Sequence, residues 1–501
     1  ELRRGRLSLA IGATQAGSVP TLPDLKLHSP TDPDESLAPS SSWGGGEPRR
    51  ESARRVVCRH LAEQCRRFPN LSLDTFATEG LDARDAALAH ALYDATVRRW
   101  VTLEYLLNLR LERPLRSADP RLAAVLLTGA AQLFFFDRIP THAAIDEAVE
   151  FTKQWVQPRA AGMVNAVLRR LAELREFGAD GELVRVDGWR ASRNELPLAS
   201  GKSMKLVADV LPEDPIERMA IACGLTPWLM RRVSQLHGNM ERTRLFAQHT
   251  LAKPAVVINT RHATAELTVP AGCTLTPHTQ AGHHVFEGSH EALAAFLGKR
   301  KDVWAQDSAA SRAIDLCAPL RPKLIADLCA GQGTKSRQLA AAFPTARLIV
   351  SDASSEAISK LRRIFEGSDR VKVVERRHLL PTHAQSVDLA VLDVPCSNSA
   401  VLARRAEAAL RCDGDQLERL VQAQRQIIAD TIPLMRPSGH VLYSTCSIDR
   451  EENGRTVDWA IEWHKFVPLD SHTIWPNGVP GEPAERYSDG GFACLMRWSQ
   501  R

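Results

Sequence analysis

Between Leu324 and Cys446 short apolar runs alternate with helix-period stretches, and this alternation restricts the fold more than any other part of the chain. Leu324-Ile325-Ala326, Leu348-Ile349-Val350, Val371 to Val374, Leu389 to Leu392 and Val441-Leu442-Tyr443 read as buried strands. Ser336 to Ala342, Ala357 to Phe365 and Gln416 to Leu434 read as the helices between them. Apolar strands joined by helical crossovers form a parallel, doubly wound sheet. Such sheets carry their chemistry just beyond the carboxyl ends of the strands. Cys446 occupies such a place, and Glu451 and Glu452 suit the first turn of a following helix. A thiolate there can act as a nucleophile, whereas a cysteine is also an ordinary packed residue.

Two further segments end strands on the same edge. In Asp327-Leu-Cys-Ala-Gly-Gln-Gly-Thr-Lys335, Gly331 and Gly333 let backbone approach a ligand whose polar groups meet the free N–H groups of a helix start. Asp352 ends the second strand about twenty residues later, where a carboxylate can accept both hydroxyls of a ribose. Together these indicate a nucleoside-containing cofactor, although Asp327 and Lys335 also fit a strand-end cap and a helix-start pair. Asp393-Val-Pro-Cys-Ser-Asn-Ser-Ala-Val401 brings Asp393 and Cys396 to the edge that holds Cys446. Two thiols and a carboxylate suit covalent chemistry on a pyrimidine. Addition of a thiolate to C6 makes C5 nucleophilic, and a carboxylate near N3 steadies the ring charge.

The rest of the chain divides by pattern. Residues 1–50 are Pro-, Ser- and Gly-rich and read as a disordered tail or linker. Residues 51–176 carry apolar positions at three- and four-residue spacing and read as an all-α bundle, with helix starts at Asp85, Asp119-Pro120 and Thr141. Residues 177–305 read as a linker or insertion, from Phe177 to Lys205, followed by a small α+β subdomain. Residues 306–501 form the α/β domain. His283, His284 and His290 lack the spacing of a metal site and read as surface residues, while His142 and Cys58 read as structural. A net charge of +5, with Arg pairs at 98–99, 169–170, 231–232 and 376–377, permits a nucleic-acid partner without requiring one. Ten scattered cysteines, no visible secretory signal and no membrane-length apolar run point to a cytoplasmic protein with reduced thiols. The chain opens on Glu rather than Met, so its natural start is expected upstream.

Two resemblances join these pieces. Arg84-Asp85, Tyr93, Val97-Arg98-Arg99, Asp119 to Leu122, Gly129 to Leu133, Ile139 to Val149 and Val164 to Arg170 resemble the NusB fold, an all-helical RNA-binding module. Gln306-Asp-Ser-Ala-Ala310, the loop Cys329–Lys335, Asp393-Val-Pro-Cys396, Ser444-Thr-Cys-Ser447 with Glu451-Glu-Asn453, and Asp489-Gly-Gly-Phe492 resemble the RNA 5-methylcytosine methyltransferases of the Sun (Fmu/RsmB) group. That resemblance implies a monomeric, metal-free enzyme with a Rossmann-like domain that takes S-adenosylmethionine and methylates RNA, small-subunit rRNA first of all. It assigns base attack to Cys446, product release to Cys396 and ring contact to Asp393. It also assigns the cofactor to Cys329, Ala330, Gly331, Gln332, Gly333, Thr334, Lys335, Asp352 and Asp393. The helical domain is expected to supply RNA affinity, so that removing residues 1–175 raises the KM for RNA. Departures from the pattern are Gly331-Gln332-Gly333 in the cofactor loop, Ser397-Asn-Ser-Ala400 after Cys396, and the lack of the usual acidic residue in Val373 to His378, where Glu375 or His378 are the candidates. They leave open a non-catalytic RNA-binding factor on the same scaffold. In a DNA cytosine methyltransferase, the third reading, Cys396 would be the nucleophile instead.

Overall fold

A computed structural model describes residues 51–71, 77–298 and 300–499, so the segment read as a tail, 1–50, lies outside the described residues. The amino-terminal helices run Ala53–Arg67, Ala83–Arg98, Trp100–Asn108, Pro120–Phe135, Thr141–Phe151 and Ala161–Ala172. The second is capped by Asp82, whose side chain accepts the N–H of Asp85; the expected opener Asp85 instead stands in the first turn, where a carboxylate favours the helix dipole. Asp119 caps the fourth helix, with Pro120 at its first position. Ala123 to Phe134 are buried on every side, which makes this helix the axis of the bundle. Gly129 lets it approach the helix Ala161–Ala172, since a Cβ there would lie 2.8 Å from Leu168 Cδ1.

Phe177 to Lys205, expected to be a linker or insertion, is no bare linker and folds as a three-stranded antiparallel sheet of β1 (Arg185–Asp187), β2 (Glu195–Pro197) and β3 (Lys202–Lys205), in the order β1-β3-β2. Three helices follow, Pro215–Cys223, Pro227–His237 and the unanticipated Met240–His249. Their apolar faces join the core of the first six helices, where Leu103, Leu126, Met219, Met230 and Phe246 belong to one buried cluster. Arg99 is buried at this junction and donates to the carbonyl oxygens of Ala222 (2.9 Å) and Pro197 (2.5 Å). Arg98 donates to those of Thr250 (3.1 Å) and Ala403 (2.7 Å). Arg99 is therefore not solvated, and Arg98, partly buried and also paired with Asp94, is likewise engaged with backbone carbonyls of distant segments. Arg169 and Arg170 are exposed. The same cluster takes in Ala400, Leu402, Leu410 and Ile448 from the carboxyl-terminal domain. Removing residues 1–175 would strip this shared core rather than detach a module, so the truncation does not isolate a contribution to RNA affinity.

Next comes a four-stranded sheet of β4 (Val256–Asn259), β5 (Thr274–Pro277), β6 (His283–Glu287) and β7 (Trp304–Ala305), in the order β5-β6-β4-β7. His283 is buried rather than on the surface, with Nε2 2.9 Å from Ser311 Oγ and Nδ1 3.1 Å from the Ala281 carbonyl oxygen.

The final sheet has the order β10-β9-β8-β11-β12-β14-β13, with β8 (Leu324–Asp327), β9 (Arg347–Val350), β10 (Val371–Val373), β11 (Val387–Asp393), β12 (Met435–Thr445), β13 (Phe466–Ile474) and β14 (Gly491–Trp498). The first five strands in that order are parallel, as expected from the alternation, while β14 runs antiparallel to both β12 and β13 and makes the sheet mixed. The strand order reverses between β8 and β11, the switch point where open sheets leave a crevice. Among the described residues no helix is long and apolar enough to cross a membrane.

Candidate active site

A cleft of about 780 Å3 opens at this switch point. Asp327, the last residue of β8, is fully buried and accepts the Ser336 hydroxyl at 2.6 Å, while its second oxygen has no partner. Gly331 and Gly333 have φ of 51° and 75°, the left-handed region in which glycine is unstrained. Space above Gly331 is open, for a Cβ there would meet nothing within 4 Å. Asp352 ties the loop down, accepting the N–H groups of Gly331 and Ser354, each at 2.8 Å. Asp393, at the end of β11, receives Lys335 Nζ at 2.7 Å on one oxygen and the Ser444 hydroxyl at 2.9 Å on the other. Burial alone would lower the Lys335 pKa, but the Asp393 carboxylate outweighs it and holds the ammonium form. All the residues expected to bind cofactor line this cleft except Gly333, which faces Leu361. Neither Glu375 nor His378 lines the cleft. Glu375 is turned to Arg362 and Arg377, whereas Arg376, Leu379, Leu380 and Asp430 do line the cleft.

The parallel register of β11 and β12 sets Asp393 beside Ser444 and so brings the two following loops together. Cys396 Sγ and Cys446 Sγ stand 3.0 Å apart, and the Cys446 N–H points at Cys396 Sγ from 3.2 Å. Both thiols are free, with Cys396 buried and Cys446 half-buried on the cleft wall. The contact with Cys446, followed by burial, pushes the Cys396 pKa well above the ordinary thiol value, so Cys396 keeps its proton. Glu451 and Glu452 do not begin a helix, since the helix Gly454–His464 starts after them. Glu452 is instead wholly buried and holds the Cys396 loop, accepting the Ser397 N–H (2.8 Å), the Ser397 hydroxyl (2.6 Å) and Gln424 Nε2 (3.0 Å). Ser399 meets Ser447 Oγ at 3.0 Å and accepts the Ile448 N–H at 3.1 Å. Arg232 forks onto Asp449 at 2.6 and 2.8 Å, fastening the Cys446 loop to the helix Pro227–His237. Sequence reasoning missed Glu452, Gln424 and Arg232 as supports of the thiols. The only local signal was the cluster of polar residues around Cys446, which does not specify partners.

Residues 47–173 match the NusB family, and residues 314–480 match the 16S rRNA methyltransferase RsmB/F family. The chain thus joins a NusB domain to an RsmB/F-type methyltransferase domain. The enzyme is 27% identical over 427 residues to ribosomal RNA small subunit methyltransferase B of Vibrio cholerae serotype O1, covering 84% of this chain and 91% of that relative. With the protein of the same name from Xanthomonas campestris pv. campestris it shares 28% over 427 residues, covering 83% and 89%. The crystal structure of PH0851 superposes with a TM-score of 0.62 over 89% of this chain and 98% of that one at 17% identity, a likeness of fold.

S-adenosylmethionine is the cofactor of this methyltransferase class, and the cleft suits it. Gly331, with open space above it, shares the cleft with Asp352 and Asp393, whose oxygens keep lone pairs free for hydroxyl and ammonium groups. Among the described residues, no three His, Cys, Asp or Glu side chains gather as a metal site would need.

Burial raises the Asp327 pKa to about 7. Its protonated form is favoured in the fold, so this contribution is fully present below about pH 4 and lost as pH rises through about 7. The loss amounts to roughly 4 kcal/mol. Asp327→Asn is expected to flatten the fall in stability over this window, as measured by urea unfolding at pH 5 and pH 8; an unchanged slope would assign it to other groups.

Proposed function

We propose that this enzyme methylates C5 of a cytidine in RNA, in small-subunit rRNA as its curated relatives are named for. The observation that carries the reading is the meeting of two free thiols, 3.0 Å apart, with a lysine-paired aspartate at the end of the neighbouring strand in one cleft. Cys446, open to the cleft, loses its proton to solvent and its sulfur bonds to C6 of the base. The C5–C6 electron pair then makes C5 the nucleophile, and Asp393 steadies the charge on the ring. S-adenosylmethionine supplies an electrophilic methyl group. After C5 has taken the methyl group, its proton leaves to a base, the C5–C6 double bond re-forms and the bond to Cys446 breaks. Cys396, still a thiol, stands where it can donate to the departing Cys446 sulfur. The base must leave its stack to reach Cys446, which favours an unpaired or looped rRNA segment.

The DNA-type reading, with Cys396 as nucleophile, is disfavoured by that residue's burial and retained proton. The non-catalytic reading is disfavoured by the closeness of the thiols, which an RNA-binding scaffold does not require. The deciding test incubates the enzyme with tritiated S-adenosylmethionine and small-subunit rRNA from cells lacking it, then separates the nucleosides. Label in 5-methylcytidine is expected. Label in another nucleoside, or none in any RNA, rejects the reading.

A further inference from the structure

Asn398 has a φ of 59°, the left-handed region that glycine enters freely and asparagine tolerates. A turn alone needs no side chain at this position. The carboxamide is nevertheless engaged at both ends. Nδ2 donates to the Cys396 carbonyl at 3.1 Å, and Oδ1 accepts the Cys446 thiol at 3.1 Å. The first bond assigns the amide's orientation, because a carbonyl accepts only from Nδ2. The loop is also fixed from behind, with the Val401 N–H on the Asn398 carbonyl (3.0 Å) and the Ala400 N–H on that of Cys446 (3.1 Å). Asn398 lines the cleft beside the thiol it touches.

We propose that Asn398 is a catalytic residue that aims the Cys446 thiol in the resting enzyme and, with its carboxamide turned over, donates Nδ2–H to the attacking thiolate. The inference rests on Cys446 being the nucleophile. When the thiol proton leaves to solvent, the sulfur lone pair faces the lone pairs of Oδ1. Half a turn about Cβ–Cγ replaces that acceptor with a donor and gives up the bond to the Cys396 carbonyl. A neutral hydrogen bond is exchanged for a charge-assisted one, the stronger kind, which also offsets Oδ1 now facing the Cys396 carbonyl oxygen. The Cys396 thiol, 3.0 Å away, supplies a second donor.

The test alkylates the full chain with iodoacetamide from pH 5 to pH 10 without RNA, following the Cys446 peptide by mass spectrometry. In this reaction the thiolate sulfur displaces iodide, so its rate tracks the thiolate fraction. Asn398→Gly keeps the turn and removes the amide, while Asn398→Asp keeps the shape and places a carboxylate against the thiolate. The alkylation midpoint is expected to rise by about one pH unit or more in Asn398→Asp and by about half that in Asn398→Gly. In Asn398→Gly, kcat is expected to fall about tenfold with the KM for RNA and for S-adenosylmethionine within about twofold. A wild-type midpoint and kcat in Asn398→Gly, with Cys446→Ala inactive, overturns this inference alone. An active Cys446→Ala overturns the nucleophile assignment and this inference with it.

Discussion

Cys446→Ala is expected to lower methyl transfer at least about a thousandfold, because the covalent route to a nucleophilic C5 is lost. Cofactor binding, measured by titration with S-adenosylhomocysteine, should stay within about threefold, since the loop Cys329–Lys335 and Asp352 do not depend on this thiol. Cys396→Ala is expected to behave differently. Addition to C6 remains possible through Cys446, but the thiol beside the departing sulfur is gone, so an enzyme–RNA adduct should accumulate on a denaturing gel. Turnover should fall while the first round of labelling persists. An active Cys446→Ala beside an inactive, adduct-free Cys396→Ala would exchange the two roles.

The second large effect concerns a residue that never meets the substrate. Glu452→Ala leaves the Ser397 N–H, the Ser397 hydroxyl and Gln424 Nε2 without their acceptor in a buried place. The cost in stability should be about 3 kcal/mol, within the range seen when one partner of a buried charged network is deleted. It should also release the Cys396 loop from Cys446 and lower kcat about a hundredfold, with the affinity for S-adenosylhomocysteine little changed. Glu452→Gln retains the volume and one carbonyl oxygen but points an N–H2 at a group that itself donates, so an intermediate loss is expected. Urea unfolding and single-turnover labelling check both variants. Full activity in Glu452→Ala would mean that Ser399 and Ser447 hold the loop without it.

Much of the site was legible because its signals are local. Apolar run length and helix period set the strand ends, and they place Asp327, Asp352, Asp393, Cys396 and Cys446 at one edge of a sheet. The glycines at 331 and 333 adopt the left-handed conformations for which that residue type is suited. Glu452 was misread for the same reason. A carboxylate before a helix normally serves its dipole, and nothing nearby in sequence indicates that Ser397, fifty-five positions earlier, will be its partner.

Arg98-Arg99 failed likewise, because a basic pair on a helix is ordinarily solvated. Here Arg99 is buried by helices and a strand roughly a hundred residues further on. The direction of β14 and the single core shared by residues from Ala53 to Ile448 were equally invisible to periodicity, which reports a face but not what covers it. By itself, then, the sequence determined which residue types end which strands and the kind of chemistry they suit. Only the tertiary structure decided that the two thiols meet at 3.0 Å, that Asn398 touches the nucleophile and that Arg232 anchors its loop. Strand ends follow from patterns a few residues long, whereas contact and burial are properties of pairs that the chain brings together from far apart.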